Sequence, residues 1–310
     1  MTDYFTIEGY KELKKILEDE NRLLKICDSD ANFISRVRQM LFLPNIEFRL
    51  NFLVDGQRVN LHIIFSNEVD PLDIEENFLH DLDFVYEGTP QETDTKYKLK
   101  IRNLESLGNR LKTEHENFQN YSDMFVGMSN AVVDHTQICS VLDAKKTLFK
   151  GKYLIGVPCD EDLCKISWDG QGHNSRKILI QKSDFLFAAN PNTVEWALGK
   201  KSENKEAHIS EFKGLKPCFG TSDAHGYEEL FCPNNERHTW LKADTTFRGL
   251  QQALIEPEDR TFIGKRPVLF NRVENNKTRF IRAISCRKKT ESHLSEIWFN
   301  FEIELNFNLI

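Results

Sequence analysis

The chain has 310 residues, a net charge of −7, a pI near 5.8 and 40% hydrophobic side chains, among them 23 Phe. That balance supports a sizeable apolar core and excludes a broad electrostatic grip on nucleic acid, which needs clustered Lys and Arg against phosphate; a local basic groove stays compatible. Seven Cys form no CxxC pair and include an odd one, so neither a disulfide framework nor a zinc ribbon is indicated.

The opening stretch is charged and amphipathic, without the layout of a signal peptide, and no window approaches the roughly 18 consecutive apolar residues of a membrane span. A cytoplasmic protein with no membrane partner is expected. The length suits two domains of about 150 residues or one α/β barrel of about 250.

In chain order, the spacing of Ile7, Tyr10, Leu13, Ile16, Leu17, Leu23 and Leu24 predicts one helix over 6–24. Next, "MLFLPNIEFRLNFL" and "RVNLHIIFS" are β-rich, and the intervening "VDGQR" carries an Asp-Gly turn signal, so a strand, a tight turn and an antiparallel return are expected. Residues 66–150 are mixed, with a helical stretch "LESLGNRLKTEHENF" and a helical insertion expected over about 90–150. "KYLIGVP" suits a buried strand, and "RKILIQKSDFLFAAN" suggests another strand leading into a helix or turn. "TTFRGLQQALIEPEDR" reads as a helix stopped near Pro257. Strands followed by helices, several times over, favour an α/β fold. From Arg266 the texture becomes β-rich, and the chain closes inside an apolar run, "FEIELNFNLI".

Residues with chemical potential cluster near the predicted strand ends. "KPCFGTSDAHG" places Asp223 and His225 at i and i+2, on one face if the segment is extended. A divalent ion needs oxygen and nitrogen donors converging from several strand ends, and this pair supplies both kinds; ordinary turn chemistry, with Asp223 capping a helix, is the alternative. Glu47 in "LPNIEF" and His62 in "VNLHIIF" are the other candidates, although a single His on an apolar face is commonly a core residue. "DGQGHNSRK" offers Arg176 and "RHTWLKAD" offers Lys242 as phosphate contacts, against the plainer reading of solvated surface, and Trp240 reads as core.

Taken in order, "FLPNIEF", "VNLHIIF" and "PCFGTSDAH" resemble the third and fourth motifs of the PHP (polymerase and histidinol phosphatase) metal-dependent phosphoesterase family. "TDYFTIEGYKELKKI" resembles the second motif of the subgroup in which a PHP domain precedes an SMC or ABC-like ATPase, and "TWLKADTTFRGLQQALIEPEDR" resembles its signature after the fourth motif. The resemblance spans nearly the whole chain. It implies a distorted (β/α)7 barrel with a cluster of divalent ions, Mn, Zn or Fe, at the C-terminal mouth of the strands. By position, Glu47, His62, Asp223 and His225 are the implied ligands, with Asp3 in the second motif and Cys159 near Pro158 as further candidates.

The same resemblance marks departures. The family's first motif, His-x-His on the first barrel strand, precedes the second motif, at which this sequence opens, and Tyr4 stands where a His usually follows Asp3. The final apolar run resembles the strand entering an ATPase P-loop, yet no GxxxxGKS or GxxxxGKT string occurs, so ATP hydrolysis is not expected. The implied organisation is a PHP-like domain over 1–265, lacking its first strand, and the start of a β-rich ATPase-type domain over 266–310, a piece of a longer protein. The implied activity is phosphoester hydrolysis, on nucleic-acid phosphodiesters within a DNA-repair or defence ATPase system and impaired in this fragment. The alternative is a non-catalytic fragment or degenerate PHP scaffold that binds a partner.

Overall fold

Alternation along two neighbouring strands organises the molecule. In a computed structural model, residues 2–54, 57–86, 96–165, 173–224, 226–276, 283–286 and 301–304 are described. Strand β1 (Thr2–Tyr4) is followed by helices α1 (Glu8–Glu18), α2 (Glu20–Ile26) and α3 (Ala31–Gln39). Strands β2 (Asn45–Val54) and β3 (Gln57–Phe65) lead to α4 (Pro71–Asn77), β4 (Asp83–Tyr86) and β5 (Tyr97–Lys98). Next come α5 (Ile101–Glu114), α6 (Asp123–Asn130), β6 (Ala131–Val133), α7 (His135–Ala144), α8 (Lys146–Phe149) and β7 (Tyr153–Pro158). Then follow α9 (His173–Lys182), β8 (Phe185–Phe187), α10 (Pro191–Ala197), α11 (Lys205–Phe212) and β9 (Cys218–Phe219). The last elements are β10 (Thr239–Leu241), α12 (Phe247–Ile255), α13 (Pro257–Arg260), β11 (Thr261–Ile263), α14 (Val268–Asn275), β12 (Ala283–Cys286) and β13 (Phe301–Glu304).

The fold is mixed α/β around a mixed sheet. The order β5-β4-β6-β2-β3-β7-β8-β9 runs across it, with β1 also paired to β2. β1 and β2 are parallel, β3 is antiparallel to both β2 and β7, and β7, β8 and β9 are parallel. Strands β1, β2, β5, β6, β7, β8 and β9 therefore share one direction, and β3 and β4 run against them. A register shift between Arg49 and Leu53 lets the second half of β2 pair with β6. The expected antiparallel return is present: Val54 faces Gln57, and the Asp-Gly pair between them lies outside the described residues.

One face of this sheet carries the main core. Ile46, Phe48 and Leu50 of β2 alternate with Leu61, Ile63 and Phe65 of β3, all buried. Phe65 meets Phe78 and Phe149 edge-on at ring distances of 5.2 and 5.4 Å, which ties α4 and α8 to the sheet. Leu104, Leu111, Ile138 and Leu142 belong to the same cluster, so the segment expected as an insertion shares this core. The opposite face holds a smaller apolar cluster, Leu154, Phe185 and Phe247, covered by α12. Gly156 is required there, because a Cβ on it would lie 2.3 Å from Phe185 Cζ.

Four local expectations need correction. The predicted helix over 6–24 is two helices, because Asp19 leaves helical geometry and its carboxylate accepts the N–H groups of Asn21 and Arg22 at 3.0 and 3.2 Å, capping α2. "RKILIQK" lies within α9, with Leu179 and Ile180 buried, and the strand is confined to Phe185–Phe187. Trp240 is half-buried, donating its indole N–H to Gly264 O at 3.0 Å and packing against Phe270. Helix α14 occupies Val268–Asn275, and the later strand-like stretches contribute an antiparallel pair, β12 with β13.

Candidate metal centre

The second face of the β2–β3 pair is polar where the first is apolar. Register places Asn45 opposite Ile64, Glu47 opposite His62 and Arg49 opposite Asn60, while Tyr4 of β1 sits beside Glu47. This row lies level with Tyr4 at the end of β1 and with Gly156 in the middle of β7: His62 pairs with Gly156, and its ring meets Phe187 at the end of β8 edge-on at 4.6 Å. Asp223 follows the end of β9 by a few residues. One level of the sheet, near the start of β2 and the end of β1, thus collects the polar groups.

Each of the two central side chains is held by an asparagine. Asn60 Nδ2 donates to Glu47 Oε1 at 2.7 Å, and the Asn60 backbone N–H donates to Asp162 Oδ2 at 2.8 Å. Asn45 Nδ2 donates to Thr2 Oγ1 at 2.7 Å, which leaves its Oδ1 to accept from His62 Nδ1, 3.3 Å away. That bond puts the proton on Nδ1 and the lone pair on Nε2, which lies 3.8 Å from Glu47 Oε2. The Tyr4 phenol donates to the Glu47 carboxylate.

Burial governs the electrostatics. Glu47 is 7% exposed and His62 8%. Burial above all, with the charges of Asp162 and Asp223 adding to it, pushes the Glu47 carboxyl up to about 7; the Tyr4 hydrogen bond and Arg49 act the other way. Burial pulls His62 down to about 4, so its imidazole is neutral at physiological pH. Tyr4 is pushed up to about 12, first by burial and then by Glu47. The charges of Asp162 and Asp223 at Glu47, with Arg49 as the nearby cation, make a further positive charge favourable there.

The donor set fits part of a divalent site. Two donors at about 2.1 Å from one tetrahedral ion lie roughly 3.4 Å apart, close to the 3.8 Å between His62 Nε2 and Glu47 Oε2. The asparagine brace on each of the two side chains is of the kind that orients metal ligands. Among the described residues, however, no three His, Cys, Asp or Glu side chains converge on one ion. Comparison with protein-family models, with characterised proteins and with solved structures returns no match.

The other expected residues are placed as follows. Asp223 is exposed, adopts the left-handed region at φ 45°, and enters the field of Glu47 and Tyr4. The "GTSDAHG" segment is therefore not extended at Asp223, and His225 lies outside the described residues. Gly220 serves close approach: a Cβ there would lie 3.0 Å from Arg237 O, and its N–H donates to Thr239 Oγ1 at 2.7 Å. Asp3 lies on the other face of β1, beside Ile46, where its Oδ2 accepts the Tyr10 N–H at 3.0 Å near the start of α1.

Cys159 is buried just beyond β7, its Sγ 3.6 Å from Cys164 Sγ. Arg176 sits on α9 within the field of those two thiols, and Lys242 is an exposed side chain whose backbone N–H donates to Arg260 O at 2.8 Å. Neither cation is brought into the Glu47 row. Asn45, Asn60 and Asp162 escaped sequence reasoning. For the two asparagines a signal existed, since they alternate with buried Ile46 and Leu61 in step with Glu47 and His62. Asp162 carried none, because its approach to Asn60 spans 102 residues.

Proposed function

We propose that this chain carries a PHP-type metal-dependent phosphoesterase centre, with Glu47, His62 and Asp223 in its metal pole and His225 assigned to the same pole by its motif. The observation that carries the reading is the buried Glu47–His62 pair, each member braced by an asparagine, in the field of Asp162 and Asp223. Asp223, a few residues past the end of β9, agrees with barrel enzymes, whose chemistry sits at the C-terminal ends of the strands. The architecture we infer is the distorted (β/α)7 barrel, supported by co-directional strands that carry an apolar cluster and a polar row on the same face. The substrate class is a phosphodiester, with nucleic acid the favoured source and an SMC or ABC-like ATPase region downstream the favoured partner.

A divalent cation, Mn, Zn or Fe, supplies polarisation of a phosphoryl oxygen and a more acidic water. The chain's own groups do the rest. His62 presents the Nε2 lone pair in a fixed direction, because Asn45 holds Nδ1. Glu47 presents Oε2 while Asn60 and Tyr4 hold the carboxylate. The partly exposed Tyr4 phenol stays protonated and spends its one O–H on the Glu47 carboxylate, so its part is to orient Glu47.

The test is hydrolysis of bis(p-nitrophenyl) phosphate by the full chain with added Mn²⁺, against Glu47→Gln, His62→Ala and Asp223→Asn. Turnover in the parent that falls at least about a hundredfold in each variant supports the reading; turnover unchanged by these substitutions contradicts it. A second reading, a degenerate scaffold that binds a partner, draws on Tyr4 in place of His and on the pair that stops short of a three-ligand group among the described residues. It is favoured if the parent binds single-stranded or duplex DNA without cleaving it under any of the three metals.

A further inference from the structure

A second reactive cluster stands at the end of β7. Cys159 is fully buried, and its N–H extends the β7–β8 ladder by donating to Phe187 O at 2.9 Å. The chain then folds back: Cys164 N–H donates to Cys159 O at 2.7 Å, and the two Sγ atoms lie 3.6 Å apart. Cys164 is exposed to solvent, with Thr193 Oγ1 3.9 Å from its sulfur.

We propose that Cys159 and Cys164 are a redox-active dithiol, which peroxide converts into a disulfide within the chain. An S–S bond is about 2.05 Å long, so the sulfurs must close by roughly 1.5 Å, a movement that rotation of the exposed Cys164 side chain accommodates. The connecting loop is already pinned for that closure. Asp160 Oδ2 accepts the N–H groups of Ala189 and Asn190, both at 2.8 Å, and its Oδ1 accepts from Thr193 Oγ1 at 2.7 Å. Asp162, also inside the ring that would close, is held by Asn60.

The chemistry balances with one equivalent of peroxide. The Cys164 sulfur, as thiolate, attacks a peroxide oxygen; the O–O bond breaks, hydroxide leaves and takes up the thiol proton as water, and the sulfur is oxidised to a sulfenic acid. The Cys159 sulfur then attacks the Cys164 sulfur; the S–O bond breaks, and hydroxide departs with the Cys159 proton as a second water. Access orders the steps, since only Cys164 of the pair meets solvent.

The experiment treats the full chain with hydrogen peroxide, quenches with iodoacetamide and maps peptides by mass spectrometry. The expected product joins Cys159 to Cys164, lowers Cys164 alkylation by about tenfold and reverts with dithiothreitol. In Cys159→Ser, Cys164 should proceed to sulfinic acid instead. Cys164→Ser, at the exposed position, keeps the test decisive if the buried substitution fails to fold: its Cys159 should stay reduced. Unchanged alkylation of Cys164 after peroxide overturns the proposal, as do crosslinks that run only through the exposed Cys232 between molecules.

Discussion

Replacing Glu47 by Gln should stabilise the metal-free protein at alkaline pH. The folded state holds the Glu47 proton up to about pH 7, whereas the unfolded chain releases it near 4.5. Between those values the native state binds more protons than the unfolded state, so stability falls as pH rises through the window, and the loss is complete above it. At about 1.4 kcal/mol per pH unit the displacement is worth roughly 3 kcal/mol, an upper figure for a side chain that is 7% exposed. Gln keeps the oxygen that accepts from Asn60 Nδ2 and carries no charge to desolvate. Urea unfolding followed by Trp fluorescence, in EDTA from pH 5 to 8.5, should show the variant more stable by up to about 3 kcal/mol at pH 8, converging with the parent towards pH 5. Mn²⁺ at a hundred times the parent's Kd should narrow that gap, adding about 2.7 kcal/mol to the parent and no more than about 1.4 kcal/mol to a variant that binds tenfold more weakly. A Gln variant that is less stable than the metal-free parent at pH 8, by an amount independent of pH, would refute the reasoning.

His62 governs the acid limb with the opposite sign. Its folded value near 4 lies below the ordinary 6.5, so the contribution present above 6.5 is lost as pH falls through about 4; in the Glu47→Gln background, His62→Gln should flatten that limb, and an unchanged slope contradicts the assignment. Asn60→Ala should weaken Mn²⁺ binding by about 10- to 100-fold, the usual cost of losing a brace behind a ligand, read by calorimetric titration, with parental affinity as the contrary result. Gly156→Ala should cost about 1–3 kcal/mol through overpacking, since the new methyl would lie 2.3 Å from Phe185 Cζ; an unshifted urea midpoint would show that Phe185 yields freely.

The legible part of the fold was the part written in periodicity. Alternation in "NIEFRL" and "VNLHIIF" announced the β2–β3 pair and placed Glu47 and His62 away from Ile46 and Ile63. Local competition hid the rest. Asp19 interrupts a continuous apolar stripe because its side chain caps the following helix more favourably than its backbone continues the preceding one. The left-handed Asp223 looked like one member of an extended pair, and nothing nearby in sequence announces its φ of 45°. Asp162 and Tyr4 reach Glu47 across the sheet, from positions distant in the chain. The asparagine braces were visible in principle, but polar residues on a strand face become informative only once the register is known.

Titration of the full chain with Mn²⁺, beside Glu47→Gln and Asp223→Asn, tests the central claim most directly. A metal pole built on Glu47 and His62 requires saturable binding by the parent, release of protons on binding near pH 7 as the Glu47 carboxyl ionises, and a loss of affinity of at least about tenfold in each variant. Binding of equal strength in parent and variants, or no saturable binding by the parent at pH 7 to 8, would contradict it.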